Sequence, residues 1–317
     1  MALVVVSEWI DGAALERLQA QHEVVVDSAL HADRPRLFEA LARAEALVVR
    51  NQTRVDAALL DAAPRLRVIG RVGVGLDMID VAAASARDVV VSWAPGTNAT
   101  SVAEYVIGAI VALARRFGPA TGHVAEGGWQ RQAFMGHEIA GATLGIVGLG
   151  DIGARVARRA RALGMHLLAT DPMVHESTAA VQEHEVELVG LEQLLERSHA
   201  ITLHVPLVST TRDLIDAPAI ERMPRGSWLI NTARGELVDE EALAVALRSG
   251  HLGGAALDVR RSEPPAEPDP LAGCPNLILT PHVAGVTVEA NVRASEHAVD
   301  EVLRVLRGER ARTPAPE

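Results

Sequence analysis

The sequence predicts an α/β protein made of two doubly wound, parallel-sheet domains. Short apolar runs alternate with helical stretches along the chain, a pattern typical of a parallel sheet covered by helices. The chain has 317 residues, 49% of them hydrophobic, which is enough to bury a core in each of two domains. The candidate boundaries are the loops at 94–98 and 284–285. We therefore expect one domain to be built from 1–98 and 287–317, and the other from 99–286.

The first predicted domain carries five candidate strands with helical stretches between them. These strands are Ala2–Val6, Val24–Val26, Ala46–Val49, Leu66–Gly70 and Val89–Val91. We expect them to form one small open sheet. A helix-rich segment, Thr287–Leu306, closes the chain, and we expect the polar tail Arg310–Glu317 after it to be disordered.

The second predicted domain starts with a long helix over Ser101–Phe117. Thr100 or Ser101 would cap this helix, and Gly118-Pro119 would stop it. Its candidate strands are Leu144–Val147, Met165–Ala169, Glu187–Val189, Ala200–His204, Ser227–Ile230, Gly254–Ala256 and Leu277–Leu279. The alternation of these strands with helices predicts a second parallel sheet.

The most informative motif follows the first strand of this second domain. Gly148, Gly150 and Gly153 have the G-x-G-x-x-G spacing of a dinucleotide-binding turn, and a helix begins near Asp151. The N-terminus of such a helix attracts a pyrophosphate. Asp171 ends the next strand at about the position where an acid binds the ribose hydroxyl of NAD. Since its charge would repel a 2′-phosphate, the sequence predicts a Rossmann domain that prefers NAD to NADP.

Composition excludes several other classes of protein. A net charge of -11 argues against nucleic acid or an anionic membrane as the main partner. There is no apolar run of membrane-spanning length and no signal-peptide pattern. The single cysteine, Cys274, excludes an internal disulfide and favours a reducing, cytoplasmic setting. The chain contains no lysine, which excludes Schiff-base chemistry on lysine. We expect no metal site.

Three charged or titratable residues follow predicted strands of the second domain. Arg234 comes after 227–230, Glu263 lies in the loop after 254–256, and His282 follows 277–279. Ligands of open α/β sheets bind at this edge, and arginine binds a planar carboxylate through two parallel hydrogen bonds. Each residue taken alone fits an ordinary surface or structural role. Their joint placement at one sheet edge favours a catalytic site.

Together these features resemble the D-2-hydroxyacid dehydrogenase family, over nearly the whole chain. The matching segments are Arg71–Asp77, Asn98–Glu104, the glycine triplet, Asp171, His204–Leu207, Asn231–Gly235, Asp258, Glu263-Pro264 and Pro281–Gly285. Two positions depart from the family pattern. Met78 stands where the family has asparagine, and Arg260 stands where it usually has an aromatic residue, which changes the edge of the active-site loop.

The resemblance implies hydride transfer between NADH and a 2-keto acid, reversible to the 2-hydroxy acid, in a Rossmann domain inserted into a flavodoxin-like substrate domain. Arg234 would hold the carboxylate and polarise the carbonyl. His282 would exchange the proton, and Glu263 would stabilise and orient the imidazolium. The N–H groups of Val74 and Gly75 would also bind the carboxylate. The implied site residues further include Asn98 for the substrate and Gly148, Gly150, Asp151, Ile152, Gly153, Asp171, Val205, Pro206, Thr232, Ala233, Asp258 and Gly285 for the cofactor.

The sequence leaves two other functions open. Formate dehydrogenases are similar but carry glutamine where Glu263 stands. A dimeric, NAD-sensing binding protein of the corepressor type can retain the same three residues. The family resemblance also implies a homodimer built on the NAD-binding domains, with segment 122–137 and its Trp129, Phe134 and Met135 crossing to the partner.

The substrate is the least determined property. Arg50 is the first residue past an apolar strand, at the edge that binds ligands, which favours a substrate with a second anionic group. A phosphate, a sulfonate or a distal carboxylate on the substrate would each fit an arginine. The alternative is that Arg50 pairs with an acid of the protein or binds the first carboxylate of the substrate. The opening segment Ser7–Asp11 resembles that of bacterial sulfolactate dehydrogenases within the family.

Overall fold

The computed structural model describes residues 1–316, which fall into two compact units. The first unit comprises Met1–Asn98 and the C-terminal part of the chain from Val286 onward. The second comprises Ala99–Gly285. Among the helices of residues 1–316, none is both long and apolar enough to cross a membrane.

The first unit is an α/β domain whose elements are numbered here along the chain. They are β1 (Leu3–Val6), α1 (Gly12–Gln19), β2 (Glu23–Val26), α2 (Arg34–Leu41), β3 (Ala46–Val49), α3 (Ala57–Asp61), β4 (Val68–Arg71), α4 (Val81–Ser85), β5 (Val90–Ser92) and α12 (Val288–Leu306). Within the described residues the five strands are parallel in the order β2-β1-β3-β4-β5, which is the flavodoxin-like order.

Strand periodicity explains how this sheet is buried on both faces. Val5 and Leu47 point into the core shared with α2 and α3, whereas Val4, Val6 and Val48 point into the core shared with α1 and α12. Successive side chains of a strand point to opposite faces, so a strand covered on both sides must be apolar throughout. All four residues of β3 are accordingly buried.

The predicted disorder of the tail is wrong for residues 310–316. Pro314 forms an antiparallel bridge with Ser92 of β5, and the Ala315 N–H donates to the Val91 carbonyl at 2.7 Å. The buried carboxylate of Glu301 accepts from the tail backbone as well. The tail is ordered because it pairs with the otherwise open edge of β5. Residue 317 lies outside the described residues.

The second unit is built around a longer sheet. Its elements are α5 (Ala99–Ala114), α6 (Phe117–Ala125), β6 (Thr143–Val147), α7 (Asp151–Ala162), β7 (His166–Thr170), α8 (Ala179–His184), β8 (Val186–Leu188), α9 (Leu191–Arg197), β9 (Ala200–Leu203), α10 (Ala217–Arg222), β10 (Trp228–Asn231), α11 (Glu240–Arg248), β11 (Gly254–Leu257) and β12 (Leu277–Leu279). In the part of the chain that the structure describes, its seven parallel strands run β12-β11-β10-β9-β6-β7-β8, the Rossmann order with one strand added.

The predicted helix over 101–117 has different ends. It starts two residues earlier, at Ala99, and stops at Ala114, because Arg116 adopts a left-handed conformation with φ 55°. Gly118-Pro119 does not stop a helix here. Pro119 lies in the first turn of α6, where backbone N–H groups have no helical partner and proline is tolerated.

Register brings the strand ends of the second sheet to one edge. Val147, Leu203 and Asn231 lie side by side on β6, β9 and β10, and Asn231 is followed by Leu257 and Leu279 on β11 and β12. Because the strands are parallel, the loops that leave these residues emerge at the same edge. The candidate site residues of the second unit lie on such loops, on the loop after the adjacent β7, or, for Asp151, Ile152 and Gly153, in the first turn of α7.

Candidate active site

The glycine turn after β6 has the geometry that the spacing predicts. Gly148 has a φ of 93°, and a Cβ there would lie 2.8 Å from the His204 carbonyl carbon. A Cβ at Gly150 would meet no atom within 4 Å, so its backbone is open to a ligand. A Cβ at Gly153 would overlap the Gly148 carbonyl oxygen, which shows how closely α7 lies against the turn.

Asp171 is oriented by the same turn. Its Oδ2 accepts from the Leu149 N–H at 2.9 Å, and its Oδ1 accepts from the Met173 N–H at 2.8 Å. Each carboxylate oxygen retains acceptor capacity, which suits a ribose diol. The carboxylate is held beside the glycine turn before any ligand binds.

Two unpartnered polar atoms lie along the same edge. Within residues 1–316, neither His204 Nδ1, after β9, nor Thr232 Oγ1, after β10, has a hydrogen-bond partner, although both atoms are buried. Burial lowers the pKa of His204 to about 3, so its imidazole is neutral near pH 7. Buried polar atoms without partners are rare, and a polar ligand at this edge would satisfy them. The glycine turn, Asp171 and these two atoms fit a dinucleotide.

The loop after β10 is fixed by Asn231, which is fully buried. Its side-chain amide donates to the Arg234 carbonyl at 2.8 Å, and its Oδ1 accepts from the Ala233 N–H at 3.0 Å. These two bonds close the turn that presents Arg234. The Arg234 guanidinium in turn donates to the Ala233 carbonyl at 2.7 Å.

The structure brings Glu263 and His282 together. Glu263 Oε2 lies 2.9 Å from His282 Nδ1, and the two side chains are 42% and 53% exposed. A carboxylate on Nδ1 fixes the ring orientation and leaves Nε2 for a reactant. The pair therefore has the geometry of an acid–base histidine with an orienting carboxylate.

His282 occupies a backbone conformation that its neighbours must enforce. Its φ is 56°, in the left-handed region that non-glycine residues rarely adopt. The Asp258 carbonyl accepts from the His282 N–H at 2.8 Å, and the buried Asp258 carboxylate accepts from Thr280 Oγ1 and from the N–H groups of Val283 and Ala284. Asp258 thus holds the histidine loop. Its contact with the nicotinamide amide stays a prediction.

In the first unit, Arg50 follows β3 as the sequence predicts. Its guanidinium donates to Asn291 Oδ1 at 2.8 Å and lies 5.3 Å from the centre of the Trp9 ring. Among the described residues, no carboxylate forms an ion pair with Arg50, which weakens the alternative that it pairs with an acid. Burial lowers the pKa of Arg50 although the nearby Glu8 opposes that shift. The guanidinium is a cation that an incoming anion would stabilise.

Glu8 is a buried acid whose role in the loop after β3 is not predicted from the sequence. Glu8 is 5% exposed, and its carboxylate accepts four backbone N–H groups, from Arg50 and Thr53 on Oε1 and from Asn51 and Gln52 on Oε2, at 2.8 to 3.0 Å. Two sequence signals include it: its position just past β1, the strand beside β3, and the resemblance of the segment Ser7–Asp11. Glu8 holds the loop that presents Arg50.

Arg71 has a similar role for the loop that contains Val74 and Gly75. Its guanidinium donates to the carbonyls of Val72 and Gly75 at 2.6 and 2.8 Å, and to Asn51 Oδ1 at 3.0 Å. It links the 72–75 loop to the Arg50 loop. Val74, Gly75 and Asn98 are partly exposed, and their contacts with substrate stay predictions.

Comparison with known proteins agrees with this geometry. Residues 107–284 match the family model for the D-isomer specific 2-hydroxyacid dehydrogenase, NAD binding domain. The chain is 50% identical to an (S)-sulfolactate dehydrogenase of Chromohalobacter salexigens, over 96% of this chain and 99% of that protein. It is 40% identical to a D-3-phosphoglycerate dehydrogenase of Archaeoglobus fulgidus, over 96% of this chain but only 57% of that protein.

A solved structure supports the same assignment. The crystal structure of the TT0316 protein from Thermus thermophilus superposes with a TM-score of 0.91 at 34% identity, covering 99% of this chain and 100% of that chain. These relatives support an NAD-dependent dehydrogenase, and they give no support to the corepressor alternative. The chain belongs to the D-isomer specific 2-hydroxyacid dehydrogenase family and uses NAD.

Proposed function

We propose that this dehydrogenase interconverts 3-sulfopyruvate and (S)-sulfolactate, with Arg50 binding the sulfonate. The observation that carries the proposal is the partly buried Arg50 guanidinium, which has no carboxylate partner among the described residues and is held by Asn291 and Trp9. The relative that shares half of the aligned residues, over 99% of its own length, is named for (S)-sulfolactate. Phosphate and distal carboxylate are the other anions that would fit the same guanidinium.

The stereochemistry of this substrate agrees with the family. In lactate the carboxylate outranks the methyl group, whereas in sulfolactate the sulfur-bearing carbon outranks the carboxylate. The (S) descriptor of sulfolactate therefore denotes the same spatial arrangement as (R)-lactate, which is D-lactate. An enzyme specific for D-isomers is thus expected to form (S)-sulfolactate.

Three residues of the second unit would carry out the chemistry. Arg234 would bind the substrate carboxylate through parallel N–H donors and polarise the carbonyl. In reduction, protonated His282 would give its Nε2 proton to the carbonyl oxygen. Glu263, 2.9 Å from Nδ1, would stabilise the imidazolium before that transfer. In the reverse direction, neutral His282 would take the hydroxyl proton.

NADH, when bound, supplies the hydride that reduces the carbonyl carbon. We propose that the turn after β6 holds its pyrophosphate and that Asp171 holds its adenosine ribose. The proposed cofactor contacts are Gly148, Gly150, Asp151, Ile152, Gly153, Asp171, Val205, Pro206, Thr232, Ala233, Asp258 and Gly285. The proposed substrate contacts beyond Arg50 are Val74, Gly75, Asn98, Arg234 and His282.

We further propose that the enzyme is a cytoplasmic homodimer. Trp129 and Met135 are 74% and 75% exposed, whereas Phe134 packs inside the chain against His123. Two large apolar side chains exposed on one segment favour a second subunit as their partner. The single cysteine favours a reducing compartment, and fractionation of cells that produce the protein would test this.

A substrate panel tests the proposed function. We would measure kcat/KM with NADH for 3-sulfopyruvate, 3-phosphohydroxypyruvate, oxaloacetate, pyruvate and glyoxylate, in the wild type and in Arg50→Leu. Loss of one charge-assisted contact costs ~1.5 to 3 kcal/mol, so the variant should lose roughly 10- to 150-fold on the doubly charged substrates and much less on the short ones. Sulfopyruvate should have the highest wild-type value.

The matched control is Arg54→Leu. Arg54 lies on the same loop, but it is exposed and pairs only loosely with Asp56, at 3.6 Å. Its replacement should leave all five substrates nearly unchanged. If Arg50→Leu lowers kcat/KM by the same factor for every substrate, Arg50 does not bind a distal anion. A higher kcat/KM for another acid would replace sulfopyruvate as the substrate.

A further inference from the structure

An ion-pair cluster lies directly behind the loop that carries Glu263. The Arg260 side chain is 8% exposed and donates to both oxygens of Glu240 at 3.0 Å. It also donates to both oxygens of Asp269, at 2.7 and 3.2 Å. Hydrogen bonding to Glu240 is the main cause that raises the pKa of Arg260, and the Arg260 guanidinium lowers the pKa of Asp269. One buried guanidinium is therefore shared by two carboxylates.

The backbone of Arg260 connects this cluster to the acid–base pair. The Arg260 N–H donates to Glu263 Oε1 at 3.1 Å, while Glu263 Oε2 contacts His282. The next backbone N–H, that of Arg261, donates to Glu240 Oε1 at 3.0 Å. The Glu240 carboxylate thus holds the loop through both the side chain of Arg260 and the backbone N–H of Arg261.

The loop that carries Arg234 is packed against the same point. A Cβ placed on Gly235, the residue after Arg234, would overlap the Arg260 carbonyl group. The backbones of the two loops are therefore in direct contact. A shift of Arg260 would disturb both the Arg234 turn and the Glu263 side chain.

We propose that Arg260 is a positioning residue, whose ion pairs with Glu240 and Asp269 fix the loop that presents Glu263 to His282. The inference rests on the proposed roles of Glu263 and His282. As a consequence, substitutions in this ion-pair cluster should change the pH dependence of keto-acid reduction although they do not alter His282 itself.

Other titratable groups near His282 are already engaged. The Asp258 carboxylate accepts from the N–H groups of Val283 and Ala284. Tyr105 bonds Thr280, and burial raises the pKa of its phenol, so it stays neutral over the range of an assay. Glu263 is thus the carboxylate placed to tune the imidazole, and Arg260 is placed to position Glu263.

The test compares pH profiles of keto-acid reduction. Arg260→Met should lower kcat about 10- to 100-fold and move the alkaline falling limb to lower pH, as Glu263→Gln should. Arg260→Lys should restore part of both effects. In the double variant Arg260→Met with Glu263→Gln, the falling limb should move no further than in Glu263→Gln alone. Both substitutions remove the same interaction, that of the Glu263 carboxylate with His282. The NADH dissociation constant of each variant reports whether the unit is folded.

Controls separate this role from general stability. Arg261→Met removes the neighbouring arginine, which pairs with Asp213 and bonds the Val238 carbonyl, and it should leave the limb in place. If Arg260→Met does not fold, Asp269→Asn weakens the cluster from outside the loop and should give a smaller shift in the same direction. Variants with normal NADH binding and an unmoved limb would refute the proposal. An unmoved limb in Glu263→Gln would instead refute the role of Glu263.

Discussion

Replacing Glu8 by glutamine should loosen the loop that presents Arg50 while changing the shape of the side chain very little. Glu8 uses both oxygens, each accepting two backbone N–H groups. Glutamine keeps one carboxamide oxygen. Its amide nitrogen would face two backbone N–H groups, and it cannot accept hydrogen bonds from them. Whichever way the amide turns, two charge-assisted hydrogen bonds are lost.

The magnitude follows from the burial of the site. Hydrogen bonds to charged groups contribute about 1.5 to 3 kcal/mol each. Because Asn51 and Gln52 lie near water, their N–H groups can recover part of that loss, and about 3 kcal/mol remains as the expected cost. At 1.36 kcal/mol for each factor of ten, local opening of the loop should become roughly 150-fold more frequent.

Hydrogen exchange over residues 50–53 measures this opening directly. The control is Asp80→Asn, because the Asp80 side chain accepts a single N–H, from Ala83, which asparagine can still accept. A folded Glu8→Gln protein with unchanged exchange at 50–53 would refute the reasoning. If Arg50 binds the distal anion, the same variant should also lose more kcat/KM on sulfopyruvate than on pyruvate.

The charge of Glu8 adds a pH dependence. Burial opposes ionisation, but the backbone N–H donors outweigh it and hold the pKa of Glu8 below its ordinary value of 4.5. The folded pKa is below the unfolded one, so the stabilisation is complete above about pH 4.5 and is lost as the pH falls through the folded pKa. As the pH falls over that range, the protection of residues 50–53 from hydrogen exchange should decrease in the wild type and stay constant in Glu8→Gln.

Three further predictions concern the cofactor, the acid–base pair and assembly. Asp171→Ala should weaken NADH binding and narrow the preference over NADPH, as measured by kcat/KM for each cofactor; equal use of both by the wild type would contradict the assignment. His282→Asn should lower kcat by roughly 10²- to 10⁴-fold in stopped-flow reduction, and Glu263→Gln should move the falling limb to lower pH. Light scattering at micromolar concentration should give a dimer, and Trp129→Arg with Met135→Arg should weaken it; a monomeric wild type would overturn that proposal.

Several features of the fold and site follow from local sequence alone. Apolar runs such as 46–49 must lie in a sheet that is covered on both faces, and parallel strands place their following loops at one edge. From that rule, the glycine turn, Asp171 and the loops of Arg234, Glu263 and His282 are predicted to lie at the same edge of the sheet. The contact between Glu263 and His282 is then a consequence of β11 and β12 being neighbours.

Local sequence is less informative where a residue's partner is distant along the chain. The tail 310–316 has the composition of a disordered segment, yet it pairs with β5, more than two hundred residues earlier in the sequence. The end of α5 depends on the left-handed Arg116, which no helix-stop pattern marks. In both cases, the feature that determines the structure cannot be predicted from a short segment of sequence.

Local sequence patterns are sufficient to place particular residue types at the strand ends, and they therefore indicate the class of chemistry. The charged groups that support these residues become apparent only in the folded chain. Glu8 is an isolated acid in the sequence until β1 and β3 pair, and Arg260 is one arginine among thirty cations until its loop meets Glu240 and Asp269. The physical reason is that strand periodicity is a short-range property, whereas a buried charge is stabilised only by partners that folding brings to it.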